Sequence, residues 1–569
     1  MFRAAYLFLI IIAITPTIPG LVGVVLSSFS YIPPIGLNRF SLSGYQHLVE
    51  WPGLLSSALL TISSSILSTY VALLLCFIVL QAFWQSRYWR KIENALSPLL
   101  AIPHVAFAIG FSFLFAPTGL FTRSFTYLTG IELNDFSTSW LVHDPFAAGL
   151  TIALSIKELP FLLLMSIPIL QQLNLQATIK VSSSLGYSPY QTWWKVIFPQ
   201  WLAKMRFPIF AVVAYGASVV DFALVLGPNT PPTLAMLVWQ WFSDPDLSLL
   251  PRAASGAVLL FVIAALLMAF VVLMERLLLS HFSQWQYSGR FGFRVPGSPI
   301  VILVITINLI LLPLLLIWSF AQRWRFPDLF PSQISGRFWL NEWDSVLPTV
   351  TDSIIIAVIT ACFALLLSLT AHEYRIKHKL HLPSYVIALP MLVPQLSILF
   401  GMQITTLYLA SDHYYLWVIW SHVFFAFPFV YLALDGPWRS YNQGYSNAAL
   451  SLGKTPFYVF ITIKAKILLK PIWFAWAVGA SVSLAQYLPT LMLGGGRVAT
   501  ITTEAVALSS GFDRRVTAIY GLLQAVLPFL FFTAAITLGR LAQTRPITSK
   551  NQHKESVTHD ASSRKPRHP

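Results

Sequence analysis

The sequence predicts an all-α protein that crosses a membrane many times. Composition, apolar segment length and charge distribution each support this prediction. Of its 569 residues, 56% are hydrophobic and only 10% are charged, whereas a soluble chain carries about 25% charged residues. So few charges cannot cover a water-exposed surface. The 42 Phe, 21 Tyr and 19 Trp residues provide more apolar surface than a disordered chain contains.

Twelve apolar segments reach the length of about 20 residues that a helix needs to cross a bilayer. We expect each to form a membrane-spanning helix. The first is predicted to be a retained anchor, because its apolar stretch is longer than that of a secretory signal. The segments are 4–29, 54–81, 96–116, 146–171, 207–228, 253–279, 299–320, 347–371, 384–410, 414–434, 472–494 and 515–539.

Basic residues are distributed unevenly between the two sides of the predicted bundle. With the N-terminus inside, 19 Lys and Arg residues lie in cytoplasmic segments and 9 in external ones, the C-terminal tail left aside. Cytoplasmic loops of membrane proteins carry such an excess. We therefore expect both termini in the cytoplasm and assign the net charge of +15 to membrane orientation rather than to nucleic-acid binding. Residues 544–569 are polar and are predicted to form a disordered cytoplasmic tail.

One cytoplasmic loop occurs twice in the chain. The stretch from Ser183 to Pro189 recurs from Leu450 to Pro456 at a constant offset of 267 residues. Two pseudo-symmetric halves of six spans each, 1–285 and 286–543, are therefore predicted. Parallel repeats of this kind place a translocation pathway at their interface, with spans 1 and 7 at the periphery. Two shorter matches support the repeat: Ile102-Pro103 with Leu389-Pro390, and Leu159-Pro160-Phe161 with Phe427-Pro428-Phe429.

The repeated loop has the residue pattern of a helix, a turn and a second helix. Gly186 and Gly453 can adopt the left-handed conformation that ends a helix. Pro189 and Pro456 each follow a hydroxyl residue, which is the pattern of an N-cap and a first helical residue. Aromatic residues then recur at helical spacing in both copies. The amphipathic second helix needs a partner, either the lipid headgroups or another protein.

The loop resembles the signature cytoplasmic loop of permease subunits in ATP-binding-cassette (ABC) importers. That loop reads Glu-Ala-Ala, three residues and Gly. Residues 447–449 with Gly453 reproduce it without the Glu, and residues 180–182 with Gly186 follow the same spacing. The resemblance covers most of residues 50–540. Two permease halves fused in one chain are similar to the thiamine and ferric-iron importers of Gram-negative bacteria and to Ynj-type relatives.

This resemblance implies a permease subunit of the bacterial inner membrane, with neither enzymatic activity nor a cofactor of its own. The repeated loops would be coupling helices that contact two ATPase subunits. A periplasmic binding protein would deliver a small solute, whose identity the sequence leaves open. The implied coupling residues are Lys180, Val181, Ser182, Gly186, Pro189, Trp193, Asn447, Ala448, Ala449, Gly453, Pro456 and Phe460.

Four ionisable residues are predicted at membrane depth: Lys157, Glu158, Asp221 and Asp352. Such residues usually face a bundle interior or a wet cavity. Counting the rise per residue along the fourth and fifth spans places Lys157 and Asp221 within reach of each other. We therefore expect an ion pair between them and expect Glu158 to face the pathway. An ion pair that only packs helices together, with no role in transport, is the alternative.

Other motifs favour no competing function. Gly453-Lys454-Thr455 imitates the end of a phosphate-binding loop, but Ala448 stands where that loop requires Gly. The cysteines and histidines suggest neither a metal site nor a nucleophile. The alternative function is a twelve-span secondary transporter. Against it, the loop from Phe83 to Lys91 lacks the Gly/Asp/Arg-rich turn that is typical of major-facilitator carriers.

Overall fold

The computed structural model describes residues 16–131, 141–281, 283–288, 295–378, 384–409, 412–511 and 513–541, together with residues 4, 6, 7 and 11. The described chain is almost entirely helical, which confirms the all-α class. One short antiparallel hairpin pairs β1 (Ala321–Arg323) with β2 (Gln333–Ile334). The predicted tail 544–569 and most of the first twelve residues of span 1 lie outside the described residues.

The α-helices of the first half include long spans and several short interrupted pieces. In chain order they are α1 Thr17–Ser28, α2 Ser43–Val49, α3 Leu54–Phe83, α4 Trp89–Ala101, α5 His104–Phe115, α6 Leu120–Thr129, α7 Ala148–Gln172, α8 Leu175–Ser184, α9 Pro189–Gln191, α10 Phe198–Lys204, α11 Arg206–Ser218, α12 Asp221–Leu226, α13 Leu234–Ser243, α14 Leu250–His281 and α15 Ser283–Tyr287. Two 3-10 turns cover Pro33–Ile35 and Leu247–Leu249, and a π-helix covers Thr192–Ile197.

The helices from residue 298 onward are again both long and short. They are α16 Ser298–Phe320, α17 Arg337–His378, α18 Ser384–Leu392, α19 Gln395–Leu409, α20 Tyr414–Ser440, α21 Gly444–Ser451, α22 Pro456–Val459, α23 Ala465–Ile467, α24 Leu469–Leu484, α25 Leu488–Gly494, α26 Ile501–Ser509 and α27 Arg514–Leu541. A second π-helix covers Phe460–Lys464, between α22 and α23.

Eight helices in the described part of the chain are long and apolar enough to cross a membrane, and two bent pairs raise this number to ten. The protein is thus an all-α polytopic membrane protein, and twelve spans stay a prediction. Four predicted spans, 96–116, 207–228, 384–410 and 472–494, are not continuous helices. They are interrupted between α4 and α5, α11 and α12, α18 and α19, and α24 and α25.

Proline explains two of the interruptions. Pro103 and Pro394 stand directly before α5 and α19, and proline disfavours helical geometry in the residue before it. The break in the second half lies at Val393-Pro394, whereas Pro390 lies inside α18. The sequence match of Ile102-Pro103 with Leu389-Pro390 is therefore corrected: the equivalent break comes four residues later.

The first helix of each half packs against the other half. Helix α1 packs against α19 as well as against α14, and α16 packs against α5 as well as against α27, so each contacts helices on both sides of residue 286. Glycine permits the closest approach, because a Cβ atom on Gly401 would lie 1.9 Å from the carbonyl oxygen of Gly20. Small residues at such crossings let two backbones approach closely in a membrane. Buried apolar side chains from residues 24 to 535 form one large core cluster.

Candidate coupling loops and translocation pathway

The turn predicted in each repeated loop is present. Gly186 and Gly453 have φ angles of 82° and 77°, the left-handed region that glycine adopts without strain. The Ser188 side chain accepts a hydrogen bond from the Gln191 backbone N–H at the start of α9. Thr455 accepts the equivalent bond at the start of α22. These caps confirm the predicted local geometry of both loops.

Each second helix of the loops widens into a π-helix, which the sequence analysis did not anticipate. The π-helical segments Thr192–Ile197 and Phe460–Lys464 occupy corresponding places in the two copies. Single-turn π-segments are uncommon and occur frequently at functional sites. Their duplication shows that both loops share an unusual backbone geometry as well as a sequence pattern.

The aromatic face of the first loop is turned into the bundle. Trp193 is only 4% exposed, and its ring meets that of Phe77 on α3 edge-on at a centroid distance of 5.9 Å. In the other copy Phe460 is half-buried. The expectation that Trp193 contacts an ATPase is therefore corrected, because its ring packs within its own chain.

The lysine of each second helix, Lys195 or Lys464, is buried, although a membrane-surface helix would turn it to the lipid headgroups. Lys195 Nζ donates to the carbonyl oxygen of Trp285 at 3.0 Å. Lys464 pairs with Glu373 on α17, and its ammonium lies 5.2 Å from the centroid of the Trp438 ring. Neither charge is available to lipid headgroups. This geometry favours a protein partner for the loops over the interfacial alternative.

The exposed part of each loop ends in a leucine that the sequence analysis did not select. Leu185 is 72% exposed and Leu452 is 80% exposed, each immediately before the left-handed glycine. The signal was present in the sequence as an apolar residue at the same place in both copies. A single exposed apolar side chain is ordinary, but the same position is apolar and exposed in both copies, which makes this leucine a candidate contact. Of the implied coupling residues, Ser182 and Ala449 are buried, whereas Lys180, Val181, Gly186, Pro189, Asn447, Ala448, Gly453 and Pro456 are exposed.

Lys157 on α7 does not contact Asp221. Its Nζ atom donates to the carbonyl oxygens of Leu99 at 3.1 Å and Ile102 at 2.6 Å. The predicted ion pair is wrong, because the break after α4 leaves carbonyl oxygens without intrahelical donors at the negative end of the helix dipole. The ammonium satisfies them. Lys157 thus stabilises the interruption of the third span.

Glu158 and Asp221 belong to one polar cluster with two residues that the sequence analysis missed. His104 Nε2 lies 3.0 Å from Glu158 Oε1, and the His104 ring packs against the Tyr215 ring at a centroid distance of 4.6 Å. Tyr215 interacts electrostatically with both carboxylates. Asp221 starts α12, directly after the break in the fifth span. The two acidic candidates are therefore brought together, and Lys157 is directed elsewhere.

The second half places amide and phenol groups at its own breaks. Gln395 Nε2 donates to Gln486 Oε1 at 3.4 Å. Tyr487, next in sequence, interacts electrostatically with Asp221 of the first half. Interrupted helices at membrane depth are tolerated where the backbone is buried in protein or lines a cavity. Tyr487 thus lies near the polar cluster. Pro103, one residue before His104, and Pro394, one residue before Gln395, were the available sequence signal.

Comparison with known proteins identifies the family. The inner membrane ABC transporter permease protein YnjC of Escherichia coli strain K12 is 32% identical to the chain over 505 residues, which cover 88% of the chain and 91% of YnjC. The chain belongs to the ABC transporter permeases. This permease is accordingly the membrane subunit of a transporter whose energy comes from an ATPase partner. No protein-family model matches the sequence.

Proposed function

We propose that this permease is the fused membrane subunit of an ABC importer in the bacterial inner membrane, with both termini in the cytoplasm. Its two halves, 1–285 and 286–543, each offer one coupling loop to an ATPase subunit. A periplasmic binding protein delivers a small solute to the opposite face. The observation that carries the proposal is the duplicated loop, with the same glycine turn, hydroxyl cap, π-helix, buried lysine and exposed leucine in both copies.

The loops are built to transmit movement from an ATPase to the bundle. Leu185 and Leu452 project outward and would fill apolar grooves on the two ATPase subunits. Inward contacts connect each loop to its own half: Trp193 packs on α3, and Lys464 pairs with Glu373 on α17. Because packed side chains couple neighbouring helices, a shift of either loop moves the half that carries it.

The translocation pathway runs between the halves, through the polar cluster that contains Glu158 and Asp221 and past Tyr487. When the ATPase subunits close, the halves rock against each other and expose this cluster to one side of the membrane and then to the other. The first half provides two carboxylates, whereas the second provides Gln395 and Gln486. Recognition of the solute by charge is therefore assigned to the first half. Lys157 is assigned a structural role, in which it stabilises the break between α4 and α5.

Charged replacements of the two exposed leucines test the proposal. Leu185→Glu and Leu452→Glu place a carboxylate in an apolar contact, and each is expected to lower ATP-driven uptake and to reduce copurification of the ATPase subunits. The double variant should lose both uptake and ATPase copurification, because burying an unpaired carboxylate in the contact costs several kcal/mol. Leu340→Glu is the matched control, since Leu340 is 79% exposed at the other end of the bundle. Normal ATPase binding and uptake in the double variant would refute the assignment of the coupling loops.

A further inference from the structure

Arginines that lie far apart in the sequence meet at the end of the bundle opposite the coupling loops. Arg123 Nη1 donates to the carbonyl oxygen of Arg325 at 2.7 Å. Arg515 Nε donates to the carbonyl oxygen of Ala321 at 2.9 Å. Six of the nine basic residues predicted on this side of the membrane belong to the three segments so joined: Arg123, Arg323, Arg325, Arg337, Arg514 and Arg515. The fold therefore concentrates charge that the sequence scatters.

A cavity of about 470 Å³ lies among these segments. Arg123, Arg514 and Arg515 line it, and Asp513 is the one carboxylate in its lining within the described residues. Thr118 and the aromatic rings of Trp318, Trp324 and Phe326 form the rest of the lining. Cavities of this size hold small molecules or headgroups. Its lining has a formal charge excess of two positive units.

The contacts of the three guanidinium groups orient them, and two carboxylates, Asp328 beside Arg123 and Asp513 beside Arg515, offset only part of their charge. Arg123 donates to three carbonyl oxygens, and Arg514 Nη2 donates to the hydroxyl of Thr118 at 2.8 Å. The single ion pair is long, with Arg515 Nη1 at 3.9 Å from Asp513 Oδ2. Guanidinium stays charged in proteins. Neighbouring like charges around a cavity favour an anion within it.

The corresponding arginine of the first half has counter-ions. Arg252, near the start of α14, lies 4.8 Å from the centroids of both the Trp51 and Trp241 rings and interacts with Asp244 and Asp246. Hydrogen bonds from the hydroxyl and the backbone N–H of Ser248 lower the pKa of Asp246, so this carboxylate is ionised at neutral pH. Arg252 thus has two carboxylates to itself, whereas the three cavity arginines share two, Asp328 and Asp513.

The cavity lies where a lipid-facing helix leaves the membrane. Helix α16 ends at Phe320, and the centroids of the Trp318 and Trp324 rings are 4.5 Å apart. Tryptophan is enriched at the level of lipid headgroups. Ile302, Leu309 and Leu316, spaced seven residues apart, are exposed along one face of α16. An apolar stripe thus runs along the helix whose end contributes Trp318 to the basic cavity, as acyl chains attached to a bound phosphate would require.

We propose that this cavity binds the headgroup phosphate of an anionic phospholipid, with the acyl chains lying along α16. Arginine pairs with phosphate through parallel charge-assisted hydrogen bonds, and basic pockets between membrane helices bind lipid headgroups in this way. The excess positive charge of the lining selects a lipid of net negative charge over a zwitterionic one. The proposal depends on neither the solute nor the ATPase partners.

Native mass spectrometry of the full chain in detergent tests the proposal, with phosphatidylglycerol and phosphatidylcholine supplied in equal amounts. We expect phosphatidylglycerol to be retained preferentially. Arg514→Gln and Arg515→Gln should each weaken its binding by about fivefold, since a basic residue near an anionic lipid contributes about 1 kcal/mol. Arg252→Gln is the matched control and should leave lipid binding unchanged. The Arg514→Lys/Arg515→Lys variant, which keeps the charge, should retain most of the preference.

Three results would overturn the proposal. The first is equal retention of the two lipids by the unmodified chain. The second is undiminished phosphatidylglycerol binding in the double Gln variant, which carries both Arg514→Gln and Arg515→Gln. The third is displacement of the lipid by inorganic phosphate alone, which would assign the cavity to a free anion. If the double Gln variant bound lipid normally but failed in uptake, the basic surface would instead serve an acidic protein partner.

Discussion

The two copies of the repeated loop agree in geometry, whereas the polar residues at the breaks of the two proposed halves differ. Both loops carry a left-handed glycine, a hydroxyl cap and a π-helix. At the centre, the first half presents Glu158 and Asp221, whereas the second presents Gln395 and Gln486. Similar loops are what the proposed contact with two similar ATPase subunits requires. A solute that passes between the halves imposes no such equality, so the polar centres were free to diverge.

Joint replacement of the two glycines tests the shared feature and has the largest expected effect. The positive φ angles of Gly186 and Gly453 would cost a β-branched residue about 1–3 kcal/mol at each position, although a Cβ atom would meet nothing within 4 Å. We expect Gly186→Val with Gly453→Val to lower ATP-driven uptake by roughly tenfold or more, while the chain still inserts and accumulates. Uptake is measured in proteoliposomes, and the amount of inserted chain is measured by quantitative immunoblotting.

Gly436→Val is the control for the glycine experiment. Gly436 is exposed in α20, has no positive φ angle and also has open space where a Cβ would lie. Its replacement should therefore leave uptake unchanged. Normal uptake and ATPase binding in the Gly186/Gly453 variant would show that the loops are membrane-surface helices rather than coupling elements.

Glu158→Gln tests the difference between the halves, because it gives the first half an amide like that of Gln486. We expect uptake to fall by about tenfold, the typical effect of losing a charge-assisted hydrogen bond. The amount of assembled complex should stay normal, since Gln can still bond to His104. Asp352→Asn is the control, because Asp352 bonds to Tyr415 outside the polar cluster. Unchanged uptake in Glu158→Gln would remove Glu158 from the pathway.

Lys157→Met is expected to have the smallest effect and to act on stability. Removing the ammonium leaves the carbonyl oxygens of Leu99 and Ile102 without a donor, a loss of about 1–3 kcal/mol. Thermal unfolding in detergent measures it. In the second half, Phe425 occupies the corresponding position, so Phe425→Met should be nearly neutral by comparison.

A double-mutant cycle distinguishes this explanation from an ion pair with Asp221. If Lys157 paired with Asp221, adding Asp221→Asn to Lys157→Met would restore stability, because no unpaired charge would be left. The observed contacts predict no such rescue, with a coupling free energy below about 0.5 kcal/mol. A larger coupling would show that the two side chains interact after all.

The local features of the coupling loops could be predicted from the sequence, because neighbouring residues determine them. Gly186, Ser188 and Pro189 act on one another within four positions, and the structure contains the turn and cap they predict. The breaks in the spans were harder to predict. Pro103 and Pro394 mark two of them, but the break after Ser218 involves no proline. Apolar length alone does not distinguish a continuous helix from an interrupted one.

The sequence by itself determined the all-α membrane class, the repeated loop and the family resemblance. These depend on composition and on spacing along the chain. Only the tertiary structure decided which partners the polar groups take: Lys157 binds carbonyl oxygens exposed by a broken helix, and Arg123 donates to the carbonyl oxygens of Arg325 and Asp328, about two hundred residues away in the sequence. A buried charge is stabilised by the nearest group in space, and helical rise along one span does not determine that distance.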